Sequence, residues 1–431
     1  MSRRDGDALP LTAAQREIWL AEQRARTALD AYRIGDYLEV HGPVDAELFE
    51  TALRRVVDEI DALHVNFVDH GQEPLQVVRE AWDWEPHLLD LSSEPDPRAA
   101  GLAWMARDRM RALDLSSDPL FSFALISLSP THHLLYQNHH HLVMDGFSLS
   151  LVRRRLTRMY TALAAGGPVS RSPFRSLDEL VRSDADYRAS RQFTADRSYW
   201  TERLADQPEP AQLTGRAPRS GSGPRTVVEP AVLRVDALRA RATQAEVHWS
   251  RPLIAAAALY VHRLTGDRDV LIDLPVTGRE GAERTLLSTP GMTANTVPLR
   301  LAMRPDQRWH DLVVEVAQEA DAALAHQRYR SEDMLRDLGL PGSTGAAFPL
   351  VVNIMVFDSP PSFAGHPATL HYLLPEPTTG LALWVMGRRG DKELRVELKG
   401  APQTWSEDEL AVHQRRLIEA TGDTSTRNQE D

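Results

Sequence analysis

The hydrophobic period of the chain changes near Gly146, and this change constrains the fold more than any other feature. Two apolar runs, 121–128 and 134–141, flank the turn-like residues SPTH and are typical of two β-strands joined by a short loop. After Gly146 apolar residues recur every three or four positions as far as Leu163, which predicts a helix with Ser148 as its N-cap. The three histidines of NHHHLVMDGFS therefore lie at a strand-to-helix turn.

Composition excludes several functional classes. The 431 residues contain no cysteine, so disulfides, thiolate nucleophiles and cysteine zinc sites are ruled out. The formal net charge of -12 argues against nucleic-acid binding, which calls for a clustered basic face. The chain has no apolar run long enough for a membrane span and no apolar segment near its start that would mark a secretory signal. We therefore expect a cytoplasmic, monomeric protein.

Local signals predict further elements on both sides of this turn. Thr12 and Gln15 have the spacing of a capping box, and Asp45 is a plausible N-cap for a long amphipathic helix. The second half repeats the mixture of helices and strands. Its predicted elements are helices at 251–264, closed by Gly266, and 310–326, and strands at 270–274 and 350–356.

Two stretches rich in proline, glycine and serine, 164–174 and 206–226, are candidate seams between domains. Together with the repeated order of helices and strands, these seams suggest two halves of similar fold. We predict an N-terminal lobe at residues 1–175, a C-terminal lobe at 176–420 and a disordered tail at 421–431.

The triple histidine allows three interpretations. On a strand His139 and His141 would share one face and His140 the other. His139, His141 and Asp145 could hold a divalent ion, but the sequence shows no second ligand cluster of recognisable spacing, so no metal is expected. The histidines could also be purely structural. Proton transfer near neutral pH is the third interpretation, since imidazole has the pKa that such transfer requires.

A family resemblance decides among them. His140, His141, Asp145 and Gly146 form the HHxxxDG pattern of an acyltransferase superfamily, and the chain resembles the condensation domains of nonribosomal peptide synthetases. Other segments resemble motifs of that family in the same order along residues 9–418. They are LPLTAAQREIWLAEQ (9–23), DYRASRQFTADRSYWTERL (186–204), LPVTGR (274–279), PGMTANTVPLRL (290–301), AHQRYRSEDMLRDLG (325–339) and PLVVNIMVFD (349–358).

The resemblance implies an α/β (α+β) fold: a V-shaped pseudo-dimer of two chloramphenicol acetyltransferase-like lobes with a central tunnel. It implies no cofactor bound by the enzyme itself. Carrier proteins would deliver substrates on phosphopantetheine arms, and the acceptor would be a small-molecule or carrier-bound amine, or less often a hydroxyl. The expected reaction joins a carrier-bound acyl thioester to that acceptor, forming an amide or an ester.

The resemblance also assigns roles to single residues. His141 is carried over as the catalytic histidine, either taking a proton from the nucleophile or orienting it. Asp145 is expected to pair with Arg279 rather than to orient His141. Asn353 matches an asparagine near the family's active site. His140 and His139 are expected to be mainly support, with His140 packing or hydrogen-bonding within its lobe. A backbone N–H at Gly146 is expected to donate to the oxyanion.

Two functions of other classes stay open at this stage. A non-catalytic condensation-like module could recruit a partner enzyme or a carrier, although such modules usually lose the active histidines. An acyltransferase of the same fold could use acyl-CoA directly. An epimerisation domain is disfavoured because its Glu-Gly-His-Gly-Arg motif is absent where PVTGREG stands, and a heterocyclisation domain because aspartates would replace His140 and Gly146.

Overall fold

The computed structural model describes most of the chain. The described residues are 6–24, 32–69, 71, 73–80, 83–208, 213, 228–279, 284–339, 350–358, 362–373, 380–401 and 404–421. Contacts divide the chain into two compact units. The first comprises Met1–Ser190, Gly281–Ala294 and Asp358–Pro375, and the second comprises Arg191–Glu280, Asn295–Phe357 and Glu376–Asp431.

Strands and helices are mixed along both units, in chain order as follows. The strands β1 to β15 are Ala8–Pro10, Arg33–His41, Val65–Asp69, Pro74–Val78, His87–Asp90, Phe121–Ser129, His132–His140, Ala231–Arg234, Asp269–Val276, Asn295–Ala302, Leu350–Phe357, Ser362–Phe363, His366–Leu373, Leu381–Arg388 and Glu393–Gly400. The helices α1 to α11 are Ala13–Arg24, Ala46–Asp58, Pro97–Arg109, Gly146–Ala164, Leu177–Arg188, Arg191–Arg203, Val235–Gln244, Ser250–Thr265, Trp309–Ala325, Ser331–Asp337 and Glu407–Ala420.

Each unit is built on its own six-stranded sheet. The first unit has the strand order β12-β13-β2-β7-β6-β5, and a small sheet β1-β4-β3 accompanies it. The second unit has the order β10-β9-β11-β14-β15-β8. The expected α/β fold class is confirmed at this level. None of the described helices is long and apolar enough to cross a membrane.

Helices cover both faces of the first sheet. On one face Phe49 and Leu53 of α2 and Leu149 of α4 join a large apolar cluster with the strands. On the other face Met105 of α3 packs with Tyr136 and its neighbours. In the second unit α8, α9 and α11 contribute to a single apolar cluster with the sheet. The burial of these apolar side chains is the main favourable contribution to folding.

Three local predictions are confirmed in atomic detail. Thr12 Oγ1 accepts a hydrogen bond from the Gln15 amide at 3.2 Å, and the Gln15 side chain accepts one from the Thr12 amide at 2.9 Å. These bonds form the reciprocal capping box before α1. Asp45 caps α2 by accepting from the Leu48 amide at 2.9 Å. Gly266 ends α8 with a left-handed φ of 79°.

The predicted lobes differ from the contact units in their continuity. Helix α5, Leu177–Arg188, belongs with the first unit, and two later segments, 281–294 and 358–375, return to it. A division into independent lobes at residue 175 stays a prediction, as do the V shape and the tunnel. Residues 422–431 of the predicted tail lie outside the described residues.

Gly35 lies in the middle of the first sheet and tests its close packing. A Cβ at this position would lie 2.6 Å from the main-chain oxygen of Gln137 on β7, and this oxygen cannot move without disturbing the sheet. We expect Gly35→Ala to lower the free energy of unfolding by about 1–3 kcal/mol, measured by denaturant titration. Gly167→Ala is the matched control, because its Cβ would meet only the Ala162 carbonyl oxygen at 3.6 Å. Equal effects of the two substitutions would contradict the packing argument.

Candidate active site

Strand β7 ends at His140, one residue earlier than the sequence predicts. The His140 amide donates to the Leu120 carbonyl at 2.8 Å, and the His141 amide donates to the Tyr32 carbonyl at 2.7 Å. The Val143 amide then turns back to the His140 carbonyl at 3.0 Å. His141 therefore belongs to a tight turn, and the expected alternation of faces between His139 and His141 does not apply to it.

His139 is a core residue. Its side chain is completely buried and packs edge-on against Phe123, with 5.2 Å between the ring centroids. Its Nε2 lies 3.3 Å from Oε1 of Gln137. Burial lowers the pKa of His139 to about 3, so the ring is neutral at neutral pH. These contacts are those of a side chain that packs within the sheet, and a direct role of His139 in the chemistry stays a prediction.

His140 connects the end of the strand to helix α1. Its Nε2 lies 3.1 Å from a carboxylate oxygen of Glu22, and its Nδ1 accepts a hydrogen bond from the Leu142 amide at 3.2 Å. The side chain is only 3% exposed. Both ring nitrogens thus face polar groups of the protein itself, as expected of a side chain that hydrogen-bonds within its lobe.

His141 is partly buried, in contrast to its two neighbours. Its Nδ1 is shielded from solvent and has no hydrogen bond of normal geometry within the described residues. Burial lowers the pKa of His141 to about 4; the Asp145 carboxylate and the Met144 backbone act in the opposite direction, while His140 adds to the lowering. The imidazole is neutral at neutral pH and has a lone pair available.

Asp145, not Ser148, caps helix α4. Its Oδ1 accepts a hydrogen bond from the Ser148 amide at 2.8 Å, so the helix begins at Gly146 and Ser148 is its third residue. The prediction of Ser148 as N-cap is wrong because the aspartate already satisfies this amide. An aspartate at this position also interacts favourably with the helix dipole.

The second oxygen of Asp145 anchors a distant segment of the first unit. Oδ2 accepts from the Thr293 amide at 3.0 Å, from the Thr293 hydroxyl at 3.0 Å and from the Ala294 amide at 3.2 Å. Ser148 adds to this anchor: its Oγ donates to the Gly291 carbonyl at 2.9 Å and accepts from the Gly291 amide at 3.0 Å. The motif aspartate thus joins α4 to residues 291–294.

Gly146 is the first residue of α4 and is partly buried. Its φ is not positive, so the backbone conformation does not by itself require glycine. The helix provides no acceptor for an amide in its first turn. The Gly146 N–H therefore has the chemistry of an oxyanion donor, and its predicted role stays a prediction.

Arg279 and Asn353 belong to the second unit. Arg279 follows β9 and is 1% exposed, so its guanidinium must be matched by acceptors in the protein. Asn353 lies on β11, opposite Trp384 of β14, and is partly buried. Its predicted position in the active site and the pairing of Arg279 with Asp145 stay predictions.

Several residues of the site were missed by sequence reasoning. Glu22, Tyr32, Gly291 and Thr293 all contact the turn or its cap. Gly291 and Thr293 stand within PGMTANTVPLRL, which was recognised only as a family-like segment. Their contacts link positions almost 150 residues apart, and no local periodicity reveals such pairs.

The buried histidines predict a loss of stability in mild acid. An unfolded histidine has a pKa near 6.5, while that of His139 is about 3 in the folded protein. Below pH 6.5 the unfolded chain binds a proton that the folded protein excludes, so this contribution is present above pH 6.5 and is lost as pH falls. We expect about 2 kcal/mol to be lost between pH 7 and pH 5 through His139. Denaturant titrations at both pH values measure it, and His139→Gln should remove this part of the slope. An unchanged slope in that variant would contradict the assignment.

The fold and the site define the class of protein. A mixed α/β chain with an HHxxxDG turn, whose aspartate caps the following helix, has the features of the HHxxxDG acyltransferases. A family model described as Condensation domain matches residues 6–427. The chain therefore belongs to the condensation-domain family of nonribosomal peptide synthetases, as its sequence resemblance predicts.

Curated relatives are much longer than this chain. An isonitrile lipopeptide synthase of Streptomyces coeruleorubidus is 39% identical over 418 residues, which cover 96% of this chain and 28% of that protein. A dimodular nonribosomal peptide synthase of Bacillus subtilis (strain 168) is 37% identical over 414 residues, which cover 95% of this chain and 17% of that protein. The chain thus spans less than a third of the length of either relative.

Solved condensation domains match nearly the whole chain. A starter condensation domain of rhizomide synthetase, in complex with C8-CoA and Leu-SNAC, has a TM-score of 0.88 and 36% identity and covers 96% of this chain and 94% of its own. The first condensation domain of the calcium-dependent antibiotic synthetase, in complex with a substrate analogue, has a TM-score of 0.86 and 34% identity, with coverage of 97% and 96%. These matches confirm the chloramphenicol acetyltransferase-like fold.

Proposed function

We propose that this chain is an active condensation enzyme that joins an acyl thioester to an amine, with His141 as the residue that acts on the nucleophile. The observation that carries the proposal is the state of His141. It is a neutral, partly buried imidazole at the turn before α4, while His139 and His140 are held by the protein itself.

The reaction is the transfer of an acyl group from a thioester sulfur to an amine nitrogen. The amine nitrogen forms a bond to the thioester carbonyl carbon, and the carbonyl oxygen carries the negative charge of the tetrahedral intermediate. The nitrogen loses a proton to His141. The carbon–sulfur bond then breaks, and the thiolate leaves and receives that proton, giving an amide and a free thiol. A hydroxyl acceptor would give an ester by the same route.

The low pKa of His141 limits when it can act. An imidazole with a pKa of about 4 is too weak to deprotonate a free ammonium ion, so the amine must arrive neutral. As the carbon–nitrogen bond forms, the nitrogen becomes positively charged and more acidic than the neutral amine, so proton transfer to His141 is easier at that stage than before attack. His141 therefore acts during or after attack, and before it can hydrogen-bond and orient the amine. The Gly146 N–H, at the positive end of α4, would stabilise the oxyanion.

Carrier proteins are the proposed partners. A peptidyl or acyl carrier protein would present the donor on phosphopantetheine, and the acceptor would be a carrier-bound or small-molecule amine. This part rests on the family and on the long relatives named as synthases. The rhizomide domain was solved with C8-CoA and Leu-SNAC, an acyl thioester and an aminoacyl thioester, which supports the same pair of substrate classes here. We propose that it works as a monomer in the cytoplasm.

Intact-mass analysis of carrier proteins tests the proposal. The protein is incubated with an acyl-carrier donor and either an aminoacyl-carrier or a free amine, and the mass of each carrier is followed. Amide formation above the spontaneous rate, lost in His141→Ala, is the expected result. Turnover with an acyl-CoA donor but with no acyl-carrier donor would favour the acyl-CoA acyltransferase, and stable carrier binding without turnover of any thioester would favour the recruitment module.

A further inference from the structure

A second group of histidines lies on the first sheet, at the opposite end of β7 from the HHxxxDG turn. Glu39 and His41 project from the same face of β2, and His132 is the register partner of His41 on the neighbouring strand β7. Donor atoms of these three side chains all lie within 4.8 Å of one another. His371, on β13 at the other side of β2, brings a third imidazole to the same carboxylate.

The carboxylate of Glu39 is the centre of this group. Its Oε1 lies 2.9 Å from Nε2 of His132, and its Oε2 lies 3.0 Å from Nε2 of His371. Glu39 is only 8% exposed, whereas His41 at the rim is exposed. The rings of His41 and His132 stack with their centroids 4.6 Å apart. A buried carboxylate with imidazoles on both sides offers the donor types that divalent transition-metal ions take.

We propose that Glu39, His41 and His132 bind one divalent transition-metal ion, with Zn²⁺ as the best match. Two imidazoles and one carboxylate form a known zinc ligand set, and such sites keep a fourth position for water. Tetrahedral zinc with bonds of about 2.0–2.1 Å needs donor atoms about 3.3 Å apart. The donor atoms, now within 4.8 Å of one another, would have to adjust to that spacing, and His41 is exposed. His371 lies beside the other oxygen of Glu39, in the place of a partner outside the ligand set.

Arg98 is the competitor for this site. Its Nε lies 3.2 Å from Oε1 of Glu39, and its side chain from α3 is 45% exposed. Without a metal the guanidinium balances the charge of Glu39. A bound ion would replace it, and the exposed arginine is able to turn into solvent. Removal of Arg98 therefore distinguishes a metal site from an ion-pair network.

Zinc titration of tag-free, EDTA-treated and desalted protein tests the proposal, with a chromophoric chelator as the competing ligand. We expect one Zn²⁺ per chain, and binding at least about a hundredfold weaker in His41→Asn and in His132→Asn. His310→Asn is the matched control, because His310 is exposed on α9 in the second unit, and it should bind as the wild type does. Arg98→Gln should bind zinc more tightly.

Three results would contradict the proposed zinc site. The first is that the wild type binds no stoichiometric zinc, and the second is that both histidine variants bind zinc as the wild type does. The third is weaker binding in Arg98→Gln, which would show that the arginine organises the group. Because His41 is exposed, His41→Asn is expected to fold even if His132→Asn does not. The titration requires no turnover, so it does not depend on the proposed condensation activity.

Discussion

Replacement of His141 by alanine is expected to lower the rate of amide formation by about 10²–10⁴-fold, with little loss of stability. The side chain is partly buried in a turn whose main-chain bonds, from the His141 amide to Tyr32 and from the Val143 amide to His140, do not depend on the ring. The expected fall in rate is therefore caused by the missing imidazole and not by unfolding. Single-turnover rates with a saturating acyl-carrier donor, corrected for spontaneous aminolysis, measure it.

Two further variants separate the possible roles of His141. His141→Asn keeps a hydrogen-bonding side chain but has no basic nitrogen, so it should stay close to the alanine variant if proton transfer matters and recover if orientation matters. His140→Ala should chiefly destabilise the fold, because both ring nitrogens face protein groups. Near-normal turnover by folded His141→Ala protein would remove His141 from the chemistry altogether.

The pH dependence of the reaction gives an independent check. With a pKa of about 4 for His141, the enzyme should show no histidine titration between pH 5 and pH 8, and the rate should follow the fraction of neutral amine. This profile is measured within the pH range in which the protein stays folded. An inflection near pH 6.5 that vanishes in His141→Asn would show that the imidazole is not desolvated as the structure indicates.

Much of the local structure could be predicted because its causes are local. The capping box of Thr12 and Gln15, the cap at Asp45 and the glycine stop at Gly266 each depend on residues a few positions apart. The hairpin before the HHxxxDG turn follows from apolar runs and a short polar loop. Family resemblance then indicated the fold that joins these elements.

What the sequence missed depends on contacts between distant segments. Ser148 looked like the cap of α4 because serine is a good N-cap residue, yet Asp145 takes the role and also binds Thr293 and Ala294. In the same way Glu39, His41 and His132 come together only because β2 pairs with β7 in one particular register. Spacing along the chain reveals neither the contact of Asp145 with residues 293–294 nor the approach of His132 to Glu39 and His41.

Asp145→Ala is expected to lower the free energy of unfolding by about 3–5 kcal/mol. The substitution removes the cap of α4, which contributes about 1 kcal/mol, and leaves the amides of Thr293 and Ala294 without their charged acceptor. Asp145 is 1% exposed, so water cannot easily replace the lost bonds. Denaturant titration measures the effect. Activity should fall with it, because His141 stands four residues before the cap.

Asp96→Ala is the matched control for this prediction. Asp96 caps α3 by accepting from the Ala99 amide at 2.9 Å, but it is exposed and makes no second anchor within the described residues. Its loss should cost about 1 kcal/mol. The excess for Asp145→Ala then measures the anchor to residues 293–294 plus any pairing with Arg279. Double-mutant cycles with Thr293→Val and with Arg279→Ala separate these two contributions. Simple additivity of Asp145→Ala and Arg279→Ala would contradict the predicted ion pair. An effect of Asp145→Ala no larger than that of Asp96→Ala would contradict the stabilising role of the contact with residues 293–294.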